Sequence, residues 1–382
     1  MNIKSLLLGS AAALVAVSGA RAADAIVAIE PEPVEYVRVC DAFGTGYFYI
    51  PGTETCLSIG GYVRYDIFGA DLWEAESATG DGTYDQDVRF SLQVNTATET
   101  ELGTLRTYAE LRYDWNTSEA EDRDDPSSGA ADGYVNDNSY DLNHAWIQLG
   151  GLRLGKSDSF FTTWTGYAGA VVHDTMGGGY GPFDTNLISY TYSGGNWRAG
   201  IAVEQGNDSF TDTDTTSGQE GWGIQDYMPH VVAGLGVTFG MVDLAAVIGW
   251  DSRDDFGGEL YGGLAGKVRA DVTFNDQLSM FVMVMYGENE SAYTTWANGP
   301  DTDETLAIYG GGSFVVSERA TFNFQAGWAD SNSAADDEWS LVGNVAYELV
   351  PGLTITPEVG FYEASGTDDG DFGAGVRVQR TF

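Results

Sequence analysis

Three histidines, two cysteines and an unusually large set of carboxylates are the residues of this 382-residue chain with the means to do chemistry. His144, His173 and His230 are far apart in sequence, and none sits in a zinc-site spacing or a hydrolase motif. His173-Asp174 is the one neighbouring pair suited to acid–base work, and it would need a nucleophile brought from elsewhere in the fold. Asp301-Thr302-Asp303-Glu304 concentrates oxygen ligands without the spacing of a calcium loop, so solvated surface is the expectation there. Cys40 and Cys56 have no histidine beside them, and two thiols are too few ligands for a metal. The chemistry-bearing residues therefore predict no enzyme, no metal and no cofactor.

Charge narrows the partners. Fifty-seven Asp and Glu stand against 17 Lys and Arg, a net charge of -40, and only Lys4, Lys156 and Lys267 are lysines. Phosphate backbones are bound by clustered Lys and Arg, so nucleic acid is excluded. Aromatics at 13% and hydrophobics at 43% exclude an acidic disordered chain. Residues 1–22 have a basic start at Lys4, an apolar run from Leu6 to Val17 and the small-residue pattern Ala20-Arg21-Ala22. That is the form of a secretory signal peptide cleaved after Ala22, too short in its apolar part to be an anchor. In an exported chain an even cysteine pair closing a short loop predicts a Cys40–Cys56 disulfide, within a periplasmic segment spanning 23–56.

The elements that would carry these groups are strands. Val88 to Asn95, Leu105 to Trp115, Arg319 to Trp328 and Leu341 to Leu349 alternate in the period of two that sorts side chains onto opposite sheet faces. A soluble sandwich would alternate in the same way; the connections discriminate. Tight turns at Glu99 to Gly103, Gly150-Gly151, Gly194-Gly195, Gly240, Asn275-Asp276, Ser317-Glu318 and Pro351-Gly352 interleave with long polar segments. The latter run over 69–87, 116–139, 158–183, 206–228, 251–259, 288–304, 330–338 and 363–371. Seven turns and eight loops predict an all-β, 16-stranded antiparallel transmembrane β-barrel over 57–382, with short periplasmic turns and long extracellular loops. Tyr65, Trp115, Trp250, Tyr286, Trp328 and Trp339 near strand ends suit aromatic girdles.

Parity puts Arg64, Arg89, Arg106, Arg112, Arg153, Arg198, Lys267, Arg269 and Arg377 inside, with Glu110, Glu204 and Glu358. Sixteen strands enclose an aqueous channel, and arginine facing lipid would cost about 2–4 kcal/mol at the midplane. Segment 158–183 carries Phe160, Phe161, Trp164, Tyr167, Val171 and Val172, too apolar for an exposed loop, and is expected to fold inward as a constriction. Leu278 to Tyr286 is apolar on both parities, which fits packing against such an inserted loop.

A resemblance carries the reading further. Val37 to Gly44, Gly46 to Cys56, Gly61-Tyr62-Val63-Arg64-Tyr65-Asp66, Ala346 to Gly352 and the terminal Val378-Gln379-Arg380-Thr381-Phe382 resemble the general porins of alphaproteobacteria, typified by Brucella and Rhizobium relatives. The resemblance implies a homotrimeric diffusion porin of the outer membrane with loop three in the lumen, passing small hydrophilic solutes and ions. It also implies that Phe382 marks the barrel for assembly. Excluding loop three, the long segments hold 35 acidic residues against Arg123 and Arg253, which predicts a cation-preferring mouth. At the constriction the expected groups are Asp158, Asp174 and Asp184 on the loop, facing Arg64, Arg89, Arg106 and Arg112 on the wall. The competing expectations are loop acids that only solubilise the surface or bind cations bridging lipopolysaccharide, a solute-specific porin, a barrel enzyme using His173, and an adhesin.

Overall fold

The alternating segments close into a ring. The computed structural model describes residues 38–76, 82–121, 131–177, 179–207, 222–224, 226–253, 262–288, 291–294, 304–330, 337–363 and 370–382. Sixteen antiparallel strands form the wall. They are β1 (Cys56–Gly69), β2 (Gly82–Thr100), β3 (Gly103–Glu121), β4 (Ala131–Leu149), β5 (Leu152–Ser157), β6 (Thr185–Gly194), β7 (Trp197–Glu204) and β8 (His230–Phe239). They continue as β9 (Val242–Asp251), β10 (Gly263–Thr273), β11 (Leu278–Glu288), β12 (Glu304–Ser317), β13 (Ala320–Ala329), β14 (Glu338–Val350), β15 (Leu353–Glu363) and β16 (Asp371–Thr381). Each pairs with its sequence neighbour, and β16 returns to β1 with Arg377 opposite Asp66. Phe382 completes the seam by exchanging two backbone hydrogen bonds with Gly61. Closure leaves no strand edge, which is what a sheet in lipid requires.

All seven tight turns stand where the turn residues put them and share one end of the barrel, and the long connections share the other. Gly150, Gly195, Gly240 and Gly352 hold these turns with φ of 56°, 67°, 59° and 77°, a region costly for other residues. The outer face is an apolar band in which Leu235 and Ile248 are 59% and 60% exposed. Trp115, Tyr286 and Trp339 are exposed on the same face.

Strand lengths depart from the sequence expectation in two places. β2, β3 and β4 each run 19 residues, because β3 and β4 keep pairing as far as Glu121 and Ala131, inside the stretch read as a loop. Past the bilayer a polar sequence loses nothing by staying paired, since the ladder satisfies its backbone. Asp85, Asp87, Glu119, Glu121, Asp132 and Asp137 are thus strand residues. β5 has only 6 residues, because the chain leaves the wall at Asp158 to turn inward.

Cys40 and Cys56 are bridged. The staple ties a small antiparallel extension to the start of β1, in which Phe48 faces Leu57 and Tyr49 faces Cys56. Residues 1–37, the Asp301–Asp303 stretch and Arg123 lie outside the described residues, and with them the expected signal peptide.

Candidate pore constriction

The segment after β5 folds into the lumen, as its apolar residues require. Helix α1 (Phe160–Thr165) starts at Ser159, whose side chain accepts from the Phe161 N–H. Phe160, Phe161 and Trp164 pack on Ala202, Val232, Ala245, Val247 and Ala265, the inward residues of β7 to β10. Glycines make the room: a Cβ at Gly200 or Gly234 would overlap the Trp164 ring. Further along, Ala168 and Tyr180 pack on Phe281, Met283, Met285, Ala307 and Tyr309. The doubly apolar β11 is thereby explained, with one face toward lipid and the other under the loop.

Three buried charged groups on the strands hold this segment. Glu204 accepts from Ser159 Oγ at 2.8 Å, from the Phe160 N–H and from Tyr293 Oη at 3.1 Å. Glu358, 1% exposed, accepts from the Val172 and His173 N–H groups, from His173 Nδ1 at 2.8 Å and from Asn344 Nδ2 at 2.9 Å. Lys267 Nζ donates to the Tyr180 carbonyl. Gln325 and Ser340 donate to the carbonyls of Asp174 and Met176, both at 2.7 Å. Parity alone put Glu204, Lys267 and Glu358 inside as pore lining; their work as clamps needed the loop path. A second connection joins in, for Trp73 stacks on His173 with centroids 4.0 Å apart and overlies Gly360 and Gly373. The inward glycines were the readable signal for that approach.

His173 is thus engaged by Glu358, Trp73 and Phe68, and none of these partners is a serine, threonine or cysteine. The other two histidines differ, for His230 is hydrogen-bonded at both ring nitrogens, whereas the buried Nδ1 of His144 has no partner among the described residues. His230 Nε2 donates to the Trp222 carbonyl at 2.8 Å while Nδ1 accepts from the Ser252 N–H at 2.9 Å. His144 Nε2 lies 4.0 Å from Asp158.

The open wall, β16 and β1 to β4, carries the expected arginines. Arg64 and Arg377 converge on Asp66 at 3.2 and 2.7 Å. Arg89 pairs with Asp114, and Arg112 with Glu110 at 2.9 Å. Arg106 stands toward the turn end, its guanidinium 6.0 Å from the Phe43 ring. The loop acids are spread out. Asp158 accepts from Tyr167 Oη and stands near the Arg112–Glu110 group through His144. Asp174 accepts from Tyr180 Oη at 2.9 Å, and burial pushes its carboxyl above the ordinary aspartate range. Asp184 is taken by Lys156, on the parity of the outward Leu152 and Leu154, instead of facing the arginines. Of the three acids only Asp158 is brought to the arginine wall. The sequence reading missed that Arg64, Arg89, Arg112 and Arg377 are all bridged by carboxylates on a neighbouring strand or two residues away, Arg64 and Arg377 sharing Asp66. A wall of pairs can line water and exert little net field.

Comparison with known proteins agrees with this geometry. The chain is 46% identical to Porin Omp2b of Brucella neotomae over 394 residues, and 45% identical to Porin Omp2a of Brucella melitensis over 402, covering all of each chain. The outer membrane channel DcaP of Acinetobacter baumannii shares the fold at 17% identity and a TM-score of 0.59, over 87% of this chain and 99% of that one. OmpF of Salmonella typhi does so at 15% identity and a TM-score of 0.57, over 86% and 98%. The profile of the family described as Porin subfamily matches residues 24–377. A closed sixteen-stranded barrel with one connection folded into its lumen is what such matches should accompany, and the chain belongs to the porin subfamily.

Proposed function

We propose that this porin is a passive diffusion channel of the outer membrane for small hydrophilic solutes, weakly cation-preferring and assembled as a homotrimer. The observation that carries the reading is the division of the lumen. The inserted segment takes the inner face of β7 to β15, and the charged wall opposite is left to line water. Cation preference is supported by the pairing of the wall arginines. Asp66, Asp114 and Glu110 pair with the four arginines Arg64, Arg377, Arg89 and Arg112, and Asp85, Asp87 and the acidic outer segments tip the balance to negative. The barrel itself decides nothing about sign, since an anion-selective porin from Comamonas acidovorans shares the fold at a TM-score of 0.54.

Trimer formation is supported by Lys156 and Asp184, a charged pair on the outward parity that a second copy of the chain would shield from lipid. Phe382, outward and 56% exposed, is assigned the assembly role that the resemblance implies. Reversal potential in a KCl gradient across a planar bilayer tests selectivity. A cation-directed potential that shrinks at high salt is expected, and an anion-directed one overturns the assignment. A channel saturating with one solute class would favour a solute-specific porin.

A further inference from the structure

The lumen-facing arginines differ in their partners. Arg64, Arg89, Arg112 and Arg377 are bridged by carboxylates, as are Arg198 by Asp243, next to the turns, and Arg269 by Asp271 on the far wall. Toward the turn end of β3 to β5 the pattern stops. Arg106 faces Gln148 and Gln148 faces Arg153, one cross-strand row of three inward side chains. Arg153 donates to Gln148 Oε1 from Nε at 3.0 Å and from Nη2 at 2.8 Å, a neutral acceptor. Among the described residues no carboxylate bridges Arg106 or Arg153.

The adjoining row holds rings. Tyr108 faces Trp146, with centroids 5.5 Å apart, and Trp146 faces Gly155, which puts no side chain beside it. Arg153 lies 4.3 Å from the Trp146 centroid, so its fork is fixed by stacking as well as by Gln148. Phe43 brings a third ring to Arg106 from the disulfide-stapled segment. Arg106 is exposed, while Tyr108, Trp146 and Arg153 are half-buried, so the patch opens on the lumen.

Two guanidiniums without counter-ions, held in one row, suit an oxyanion, and a planar fork suits a carboxylate best. Rings one row away suit the C–H face of a sugar, and the amide of Asn95, opposite Tyr108, suits its hydroxyls, while Gln148 is committed to Arg153 and to the Gly150 carbonyl. We infer that the inner wall of β3 to β5 near the turn end is a subsite for a pyranose bearing a carboxylate, a hexuronate. The inference deepens the diffusion-porin reading and rests on it for access from the aqueous lumen.

Two measurements separate them. Calorimetry of the detergent-solubilised full chain with glucuronate and with glucose reports binding without any channel activity. Single-channel current with each sugar added on the turn side reports residence in the pore. Glucuronate is expected to bind about tenfold tighter than glucose and to interrupt the current longer, the scale of one charge-assisted hydrogen bond. Arg106→Gln with Arg153→Gln should erase that difference in channels that still insert and conduct. Arg106→Gln alone, at an exposed position, should reduce it where the double variant fails to insert. Equal binding of the two sugars, or a difference that survives the substitutions, overturns the inference. Normal conductance with no heat and no interruptions sinks the subsite and spares the porin reading; heat without conductance does the reverse.

Discussion

Along β7 to β15 much of the inner wall is Gly, Ala, Val and Met covered by a folded segment that buried charged groups clamp; along β16 and β1 to β4 it carries arginines, most of them paired with carboxylates, and is left open. The two arcs share one backbone ladder and one outer face, so the difference lies in the inward residues alone. The first arc behaves as the core of a globular protein, where glycine marks the approach of a ring and a buried carboxylate survives because several donors meet it. On the second, charged groups pair with one another along or across the strands and water supplies the rest. A porin of this design gets its rigidity from one arc and its permeation from the other.

The sharpest way to break that division is Glu204→Ala. It strands Ser159 Oγ, the Phe160 N–H and Tyr293 Oη at about 1–3 kcal/mol each if they stay dry. The inserted segment should detach at its start, raising conductance and open-channel noise; an unchanged single-channel record would refute the clamp. Next comes Trp164→Ala, which removes a buried ring seated over Gly200 and Gly234 for about 3–5 kcal/mol. Its expected readout is a lower unfolding midpoint and noisier current, with selectivity kept.

Asp174 supplies a pH test of the covered arc. Burial is the main cause of its raised carboxyl, opposed by the Tyr180 hydrogen bond, with Glu358 raising it and His173 lowering it. The folded segment therefore binds this proton more tightly than the unfolded chain does. Its contribution to stability is full below the ordinary value of 3.8 and is lost as pH rises through the raised one. Current noise should grow over that interval, and Asp174→Asn should flatten the dependence; the same slope in the variant would assign it elsewhere. The smallest effect is expected on the open arc. Arg89→Gln frees Asp114 and should shift reversal potential slightly toward cations, with the shift disappearing at high salt. A shift toward anions would contradict the idea of locally matched charges.

Strand count, turns, inward parity, the disulfide and the inward course of the 158–183 segment were legible because each depends on local periodicity or composition. The salt-bridge pattern was not. Arg89 meets Asp114 because the two face each other across β2 and β3, and Arg377 meets Asp66 through a closure that depends on the whole ring. Nor could parity tell a clamp from a pore liner, since Glu204 and Glu358 differ from Glu110 only in what the inserted segment places over them. Lys156 shows the limit of counting loop charge, for it sits on a strand and removes Asp184 from the pore.

The seam between β16 and β1 sets a timetable. Arg377 and Asp66 are 311 positions apart, whereas the cysteine ring spans 16. A folding chain can close that ring early, but it cannot close the wall until β16 has been delivered. Until then both terminal strands present bare hydrogen-bonding edges, an invitation to pair with other unfinished copies. The last contact to form is among the longest in sequence, the kind that forms slowly. The seam is thus the one pairing of the wall that joins the first and last strands, and the one whose two edges wait longest for each other in a chain delivered from β1 to β16.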